Sequence, residues 1–105
     1  MTPKDRQILD QFAARVREVA PEAKIWAFGS RARGTATDES DMDVCVVVER
    51  FTEELDDLIL GIACEVGIQY DLVITPIPYS LSEFEQGPLS VSPLVRVIKQ
   101  EGVAA

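Results

Sequence analysis

The sequence contains no histidine, and only two of its 105 residues are cysteine. Without histidine there is no Ser-His or Cys-His nucleophile and no imidazole-ligated metal. Two cysteines cannot complete a structural zinc site. With no secretion signal, Cys45 and Cys64 are expected as buried thiols in a strand and a helix, not as a disulfide. Long apolar runs are also missing. None approaches the length of a membrane span, and the opening MTPKDRQILD lacks a basic-then-apolar leader pattern, so a cytoplasmic protein is expected. Positive charge is scarce: ten Lys and Arg stand against eighteen Asp and Glu, a net charge of −8. That field repels nucleic acid, and both halves of the chain share it, which argues against direct nucleic-acid binding. A divalent cation or a cationic protein surface is the more natural companion. Linkers, repeats and low-complexity tracts are absent too, and the length fits one small domain over residues 1–105.

What is present is a regular alternation of helix and strand patterns, with 47% apolar residues to fill a core. Thr2-Pro3 reads as an N-cap followed by proline at the first helical position. Ile8, Phe12, Val16 and Val19 then recur at helical spacing, and Pro21 ends the helix. Ile25 to Phe28 is a short strand stopped by Gly29. Met42 to Val48 is Val-rich and continuous, the pattern of a central strand buried on both faces. Thr52 opens a helix with acids in its first turn. Leu55, Leu58, Ile59, Ile62, Ala63 and Val66 make its apolar stripe, and Gly67 is the expected C-cap. Tyr70 to Thr75 reads as a third strand broken by Pro76 and Pro78. Ser80-x-x-Glu83 resembles a capping box, and Ser92-Pro93 opens a last helix closed by Gly102. The fold class is therefore α/β (α+β), with a three-stranded mixed sheet and packed helices. The second and third strands, with the helix between them, should form a parallel right-handed β-α-β unit. The direction of the first strand is left open by the pattern.

The chemistry gathers in GSRARGTATDESDMDVCVVV, Gly29 to Val48. Residues two apart in a strand point to one face, so Asp41 and Asp43 project together with Cβ atoms roughly 6–7 Å apart. At an effective dielectric of about 20 their repulsion is on the order of 2–3 kcal/mol. Mg²⁺ relieves it, because it prefers carboxylate oxygens and keeps positions for water and phosphate. Asp-x-Asp alone is a weak signal. A third acid, Asp71, stands at the start of the expected third strand, where a parallel unit would set it beside the pair. If the first strand runs antiparallel to the second, the Gly29-Ser30 turn reaches the same edge. Glycine permits close backbone approach, and the Ser30 hydroxyl with the N–H groups of the following turn suits phosphate oxygens. Arg31 and Arg33 stand nearby as charge partners for a phosphate or as ordinary surface residues. No Gly-Lys-Ser/Thr follows, so this is not a Walker loop.

Taken together, Gly29-Ser30, Asp41-Met42-Asp43 and Asp71 resemble the nucleotidyltransferase superfamily with the polymerase-beta-like fold. The fuller GSRARGTATDESDMDV is similar to the small prokaryotic group called minimal nucleotidyltransferases, and the likeness runs through the Ser92-Pro93 to Val103 ending. The resemblance implies that Asp41 and Asp43 hold two Mg²⁺ ions on a nucleoside triphosphate, and that Asp71 completes the ion beside the acceptor hydroxyl. It implies that Gly29 and Ser30 hold the outer phosphates, assisted by Ser40. Chemistry of this kind proceeds by in-line attack on the α-phosphorus and needs no histidine. Relatives of this group commonly pair with a HEPN-domain RNase toxin and transfer AMP from ATP to a tyrosine of the toxin, acting as antitoxins in a hetero-oligomer. The acidic charge agrees with docking on a basic partner. Two other readings follow from the same residues: an antitoxin that neutralises by occlusion, and a nucleotidyltransferase for a small-molecule hydroxyl.

Overall fold

The structure, a computed structural model, describes residues 1–105. Helix α1 (Pro3–Val19) begins where Thr2 caps it: the Thr2 hydroxyl accepts from the Asp5 N–H at 3.1 Å, and Pro3 occupies a position that needs no donor. Ile8, Leu9, Phe12, Ala13 and Val16 form its buried face, as their spacing predicts. The chain continues through β1 (Lys24–Phe28), the single turn α2 (Ser30–Arg33), β2 (Met42–Val48), α3 (Glu53–Tyr70) and β3 (Ile74–Ser80). It finishes with α4 (Leu81–Glu85), a 3₁₀ turn (Pro88–Val91), α5 (Pro93–Glu101) and β4 (Val103–Ala104). The Ser80–Glu83 capping box and the Ser92 cap both form.

The sheet order is β3-β2-β1-β4, with β1 antiparallel to both neighbours and β2 parallel to β3. A fourth strand thus joins the three expected. It pairs at only Trp26–Ala104 and Ala27–Val103, too short a segment to show a strand period. β2 is buried on both faces. Met42, Val44, Val46 and Val48 pack with α1 and α3 in the larger core. Cys45 and Val47 pack on the other side with Phe28, Tyr79, Phe84, Val95 and Ile98. Both cysteines are free; Cys45 is buried as expected, but Cys64 is exposed.

The junction between α3 and β3 corrects the sequence reading. Helix α3 runs three residues past Gly67 and is closed by Asp71 in the left-handed conformation, φ 56°, ψ 50°. The Leu72 N–H donates to the Gly67 carbonyl at 2.9 Å and the Asp71 N–H to the Ile68 carbonyl at 3.3 Å, the paired bonds of a Schellman closure. Aspartate tolerates that backbone better than most residues. Gly67 serves differently, by letting the chain fold back on the helix: a Cβ there would meet the Leu72 carbonyl oxygen at 2.6 Å. β3 consequently starts at Ile74 and passes through Pro76 and Pro78, which pair with Val44 and Val46. As the outermost strand it can hold prolines whose missing N–H groups face away from β2. Gly67→Ala is expected to destabilise the protein by about 1–3 kcal/mol through this clash, measured as a lower urea midpoint at unchanged slope.

Candidate active site

Asp43 is the second residue of β2, on the face that carries Cys45 and Val47 further along, and Asp41 immediately precedes the strand. Asp43 pairs with Phe28, so the last residue of β1 lies beside it and the turn at Gly29 folds over it. The contact is close: a Cβ on Gly29 would come within 2.6 Å of the Asp43 Oδ2, and Gly29 itself has φ 77°. The backbone conformation favours glycine at this position, and a side chain there would also push the Asp43 carboxylate aside. Asp43 is half-buried and Asp41 exposed. The Asp43 carboxyl is raised above its ordinary range, first by burial and then by the charge of Asp41. Neither carboxylate is engaged by a cationic side chain; the five ion pairs of the chain involve other residues. Two adjacent, uncompensated carboxylates are a hard-oxygen donor set, and one or two of these with substrate phosphate are what Mg²⁺ ordinarily takes. The residues present fit such an ion. Cys45, two residues on, has its thiol pushed up to about 12 by burial and offers no nucleophile.

The other expected residues are placed unevenly. Gly29 and Ser30 reach the same sheet edge as the two acids, because β1 and β2 are antiparallel. Arg31 does not face this site. Its guanidinium is buried against Asp5, with Nη1 2.7 Å from Asp5 Oδ1, and Nε donates to the Ser40 carbonyl at 2.9 Å. The Arg31 donors are thus engaged by Asp5 and by the Thr37, Asp38 and Ser40 carbonyls, rather than by the surface or phosphate setting expected of it. Arg33 is exposed and lies 3.7 Å from Glu101, a weak surface pair. The Ser40 hydroxyl is turned back into its own loop, accepting from the Thr37 N–H at 2.9 Å.

Asp71 is also displaced. It is not the first residue of a strand but the closing residue of α3, and the position opposite Asp43 on β3 is Thr75. Asp71 lines a cleft of about 650 Å³ together with Asp38, Asp41, Gly67 and Leu72, on the side of the sheet covered by α1 and α3. Asp41, at the rim, shares this cleft with Asp71; Asp43 does not line it. No three acids of the chain come together as one metal-holding group. Two residues of consequence escaped the sequence reading. Asp5 stands in the first turn of α1, and its pairing with Arg31 spans 26 positions with no local signal. Thr75 was hidden by the misplaced start of β3, although Pro76 and Pro78 at alternating positions are compatible with an edge strand.

Residues 9–105 match the nucleotidyltransferase domain family. This chain belongs to that family. Among curated proteins, a Methanocaldococcus jannaschii protein named "Putative protein adenylyltransferase" is 39% identical over 57 residues. That match covers 53% of this chain and 58% of the archaeal protein, so the likeness spans little more than half of either. Among solved structures, a chain from a crystal structure of a toxin–antitoxin with AMP-PNP superposes with a TM-score of 0.64 at 17% identity, covering 90% of this chain and 69% of that one. At that identity the superposition shows a shared fold. The nucleotidyltransferase fold and family expected from Gly29-Ser30, Asp41-Met42-Asp43 and Asp71 are therefore borne out, and no helix is long and apolar enough to cross a membrane.

The raised Asp43 carboxyl has a stability consequence. Its protonated form is favoured in the folded chain, so its contribution is present at low pH and is lost as pH rises through the raised folded value. Asp43→Asn stays neutral. It is expected to raise the melting temperature of the metal-free protein at neutral pH, with the difference fading as pH falls through the raised Asp43 value and gone below about pH 4, the ordinary range of an unfolded Asp. A lower melting temperature for this variant at neutral pH would contradict the account.

Proposed function

We propose that this nucleotidyltransferase domain transfers AMP from ATP to a hydroxyl of a partner toxin protein and so acts as an antitoxin. The observation that carries the reading is the Asp41–Asp43 pair, held side by side against Gly29 without a compensating cation. In this reading the two carboxylates hold Mg²⁺, which supplies charge neutralisation for the triphosphate and the leaving pyrophosphate. Gly29 gives the outer phosphates backbone access, and Ser30 provides a hydroxyl beside them. The acceptor oxygen bonds to the α-phosphorus as the bond from that phosphorus to the oxygen of the β-phosphate breaks; pyrophosphate departs and the acceptor proton passes to solvent. The partial match to a protein named as an adenylyltransferase supports AMP and a protein acceptor. The fold shared with a toxin–antitoxin chain supports a toxin as that acceptor. A HEPN-type RNase and its tyrosine are the finer form of the proposal, which the −8 charge favours through docking on a basic surface.

Asp71 is left out of the ion's carboxylates in this reading because it closes α3 and Thr75, not Asp71, lies opposite Asp43, although Asp71 shares a cleft with Asp41. Thr75 in the position beside Asp43 also favours a second reading, in which the domain neutralises its partner by occlusion with slow or no transfer. The test is incubation of labelled ATP and Mg²⁺ with the co-purified partner. Label is expected on the partner, lost with chelator, and reduced at least 100-fold by Asp41→Ala or Asp43→Ala, the scale of removing a transition-state stabilising group. Asp71→Asn, which also tolerates the left-handed backbone, is expected to retain most of the transfer. A double Asp41→Ala, Asp43→Ala variant that still protects cells while holding the partner would select the occlusion reading.

A further inference from the structure

Arg31 sits in the conspicuous GSRARG stretch, yet its side chain is only 10% exposed and its partner Asp5 only 7%. The guanidinium spans two parts of the fold. On one side Nη1 binds the Asp5 carboxylate in the first turn of α1, which Thr2 caps and whose next turn, Ile8 and Leu9, lies in the main core. On the other side Nε donates to the Ser40 carbonyl at 2.9 Å, while Nη2 reaches the Asp38 and Thr37 carbonyls at 3.4 and 3.5 Å. Thr37, Asp38, Glu39 and Asp41 are exposed, so the segment leading into β2 has little packing of its own. The Ser40 carbonyl belongs to the peptide that joins Ser40 to Asp41. Fixing that planar group fixes the backbone from which the Asp41 carboxylate projects.

We infer that Arg31 and Asp5 form a positioning pair that sets the Asp41 carboxylate relative to Asp43, transmitting the rigidity of the α1 core to the cation site. The inference rests on the reading above that Asp41 and Asp43 hold a divalent cation. Its physical basis is that a planar five-donor guanidinium can bridge a carboxylate and several carbonyls at once, which a lysine ammonium cannot reproduce in the same geometry. Groups that orient a metal's direct ligands affect binding strongly even though they touch no metal.

The test uses the native protein with Arg31→Lys and Asp5→Asn, each titrated with Mn²⁺ followed by electron paramagnetic resonance well below the unfolding temperature. Hydrogen exchange at the 35–41 amides is recorded in parallel, and far-UV circular dichroism checks folding. Folded Arg31→Lys is expected to bind Mn²⁺ on the order of tenfold more weakly, with faster exchange at the Asp41 amide. Asp5→Asn keeps the guanidinium and its carbonyl bonds and should show a smaller loss in the same direction; it carries the test if Arg31→Lys does not fold. Native Mn²⁺ affinity in a folded variant with a lowered melting temperature would reduce the pair to a structural role and overturn the inference alone. A native protein that binds no Mn²⁺ would overturn the reading of the Asp41–Asp43 pair, and the inference with it.

Discussion

The repulsion between Asp41 and Asp43 persists because the strand that carries Asp43, and into which Asp41 leads, cannot move. β2 is packed on both faces and hydrogen-bonded on both edges, so its first residues have no inexpensive way to splay apart. Burying its side chains contributes about 1.5–3 kcal/mol for each large apolar residue, enough for a few of them to outweigh two close carboxylates. The rest of the site follows from that rail. β1 runs antiparallel beside it and delivers Gly29 over Asp43; β3 runs parallel and delivers Thr75. The helices serve mainly to keep the rail buried.

The sequence spoke most clearly where burial and local chemistry agree. The unbroken Met42–Val48 run was legible as a two-sided strand, and Thr2, Ser80 and Ser92 were legible as caps because capping depends on residues three apart. Gly29, Asp41 and Asp43 were legible for the same reason: a turn and a strand place them, with little help from elsewhere. Asp71 was not. Its strand placement assumed that Gly67 stops α3 and that prolines stop β3, whereas the fold uses Gly67 for a close crossing and admits prolines at an edge. The Arg31–Asp5 pair is not legible, because a buried partner 26 residues away leaves no trace in local pattern.

The disposition of charge gains a clearer shape from these corrections. Of the two arginines nearest the acids, one is spent inside the fold and the other lies at the surface beside Glu101. The carboxylate pair therefore keeps an uncompensated negative field, which the partial burial of Asp43 strengthens by excluding water. In the proposed reading, a cation brought by a nucleotide would meet an attractive site rather than one already neutralised by side chains.

Pro76 and Pro78 carry a consequence beyond the register of β3. Their alternation leaves the outer rim of the sheet without two successive amide donors, and a strand from another chain needs those donors to add itself there. Main-chain pairing at this rim is therefore obstructed. Recognition of a protein partner on this side must run through side chains, where sequence can discriminate one partner from another, rather than through backbone that any extended peptide could match.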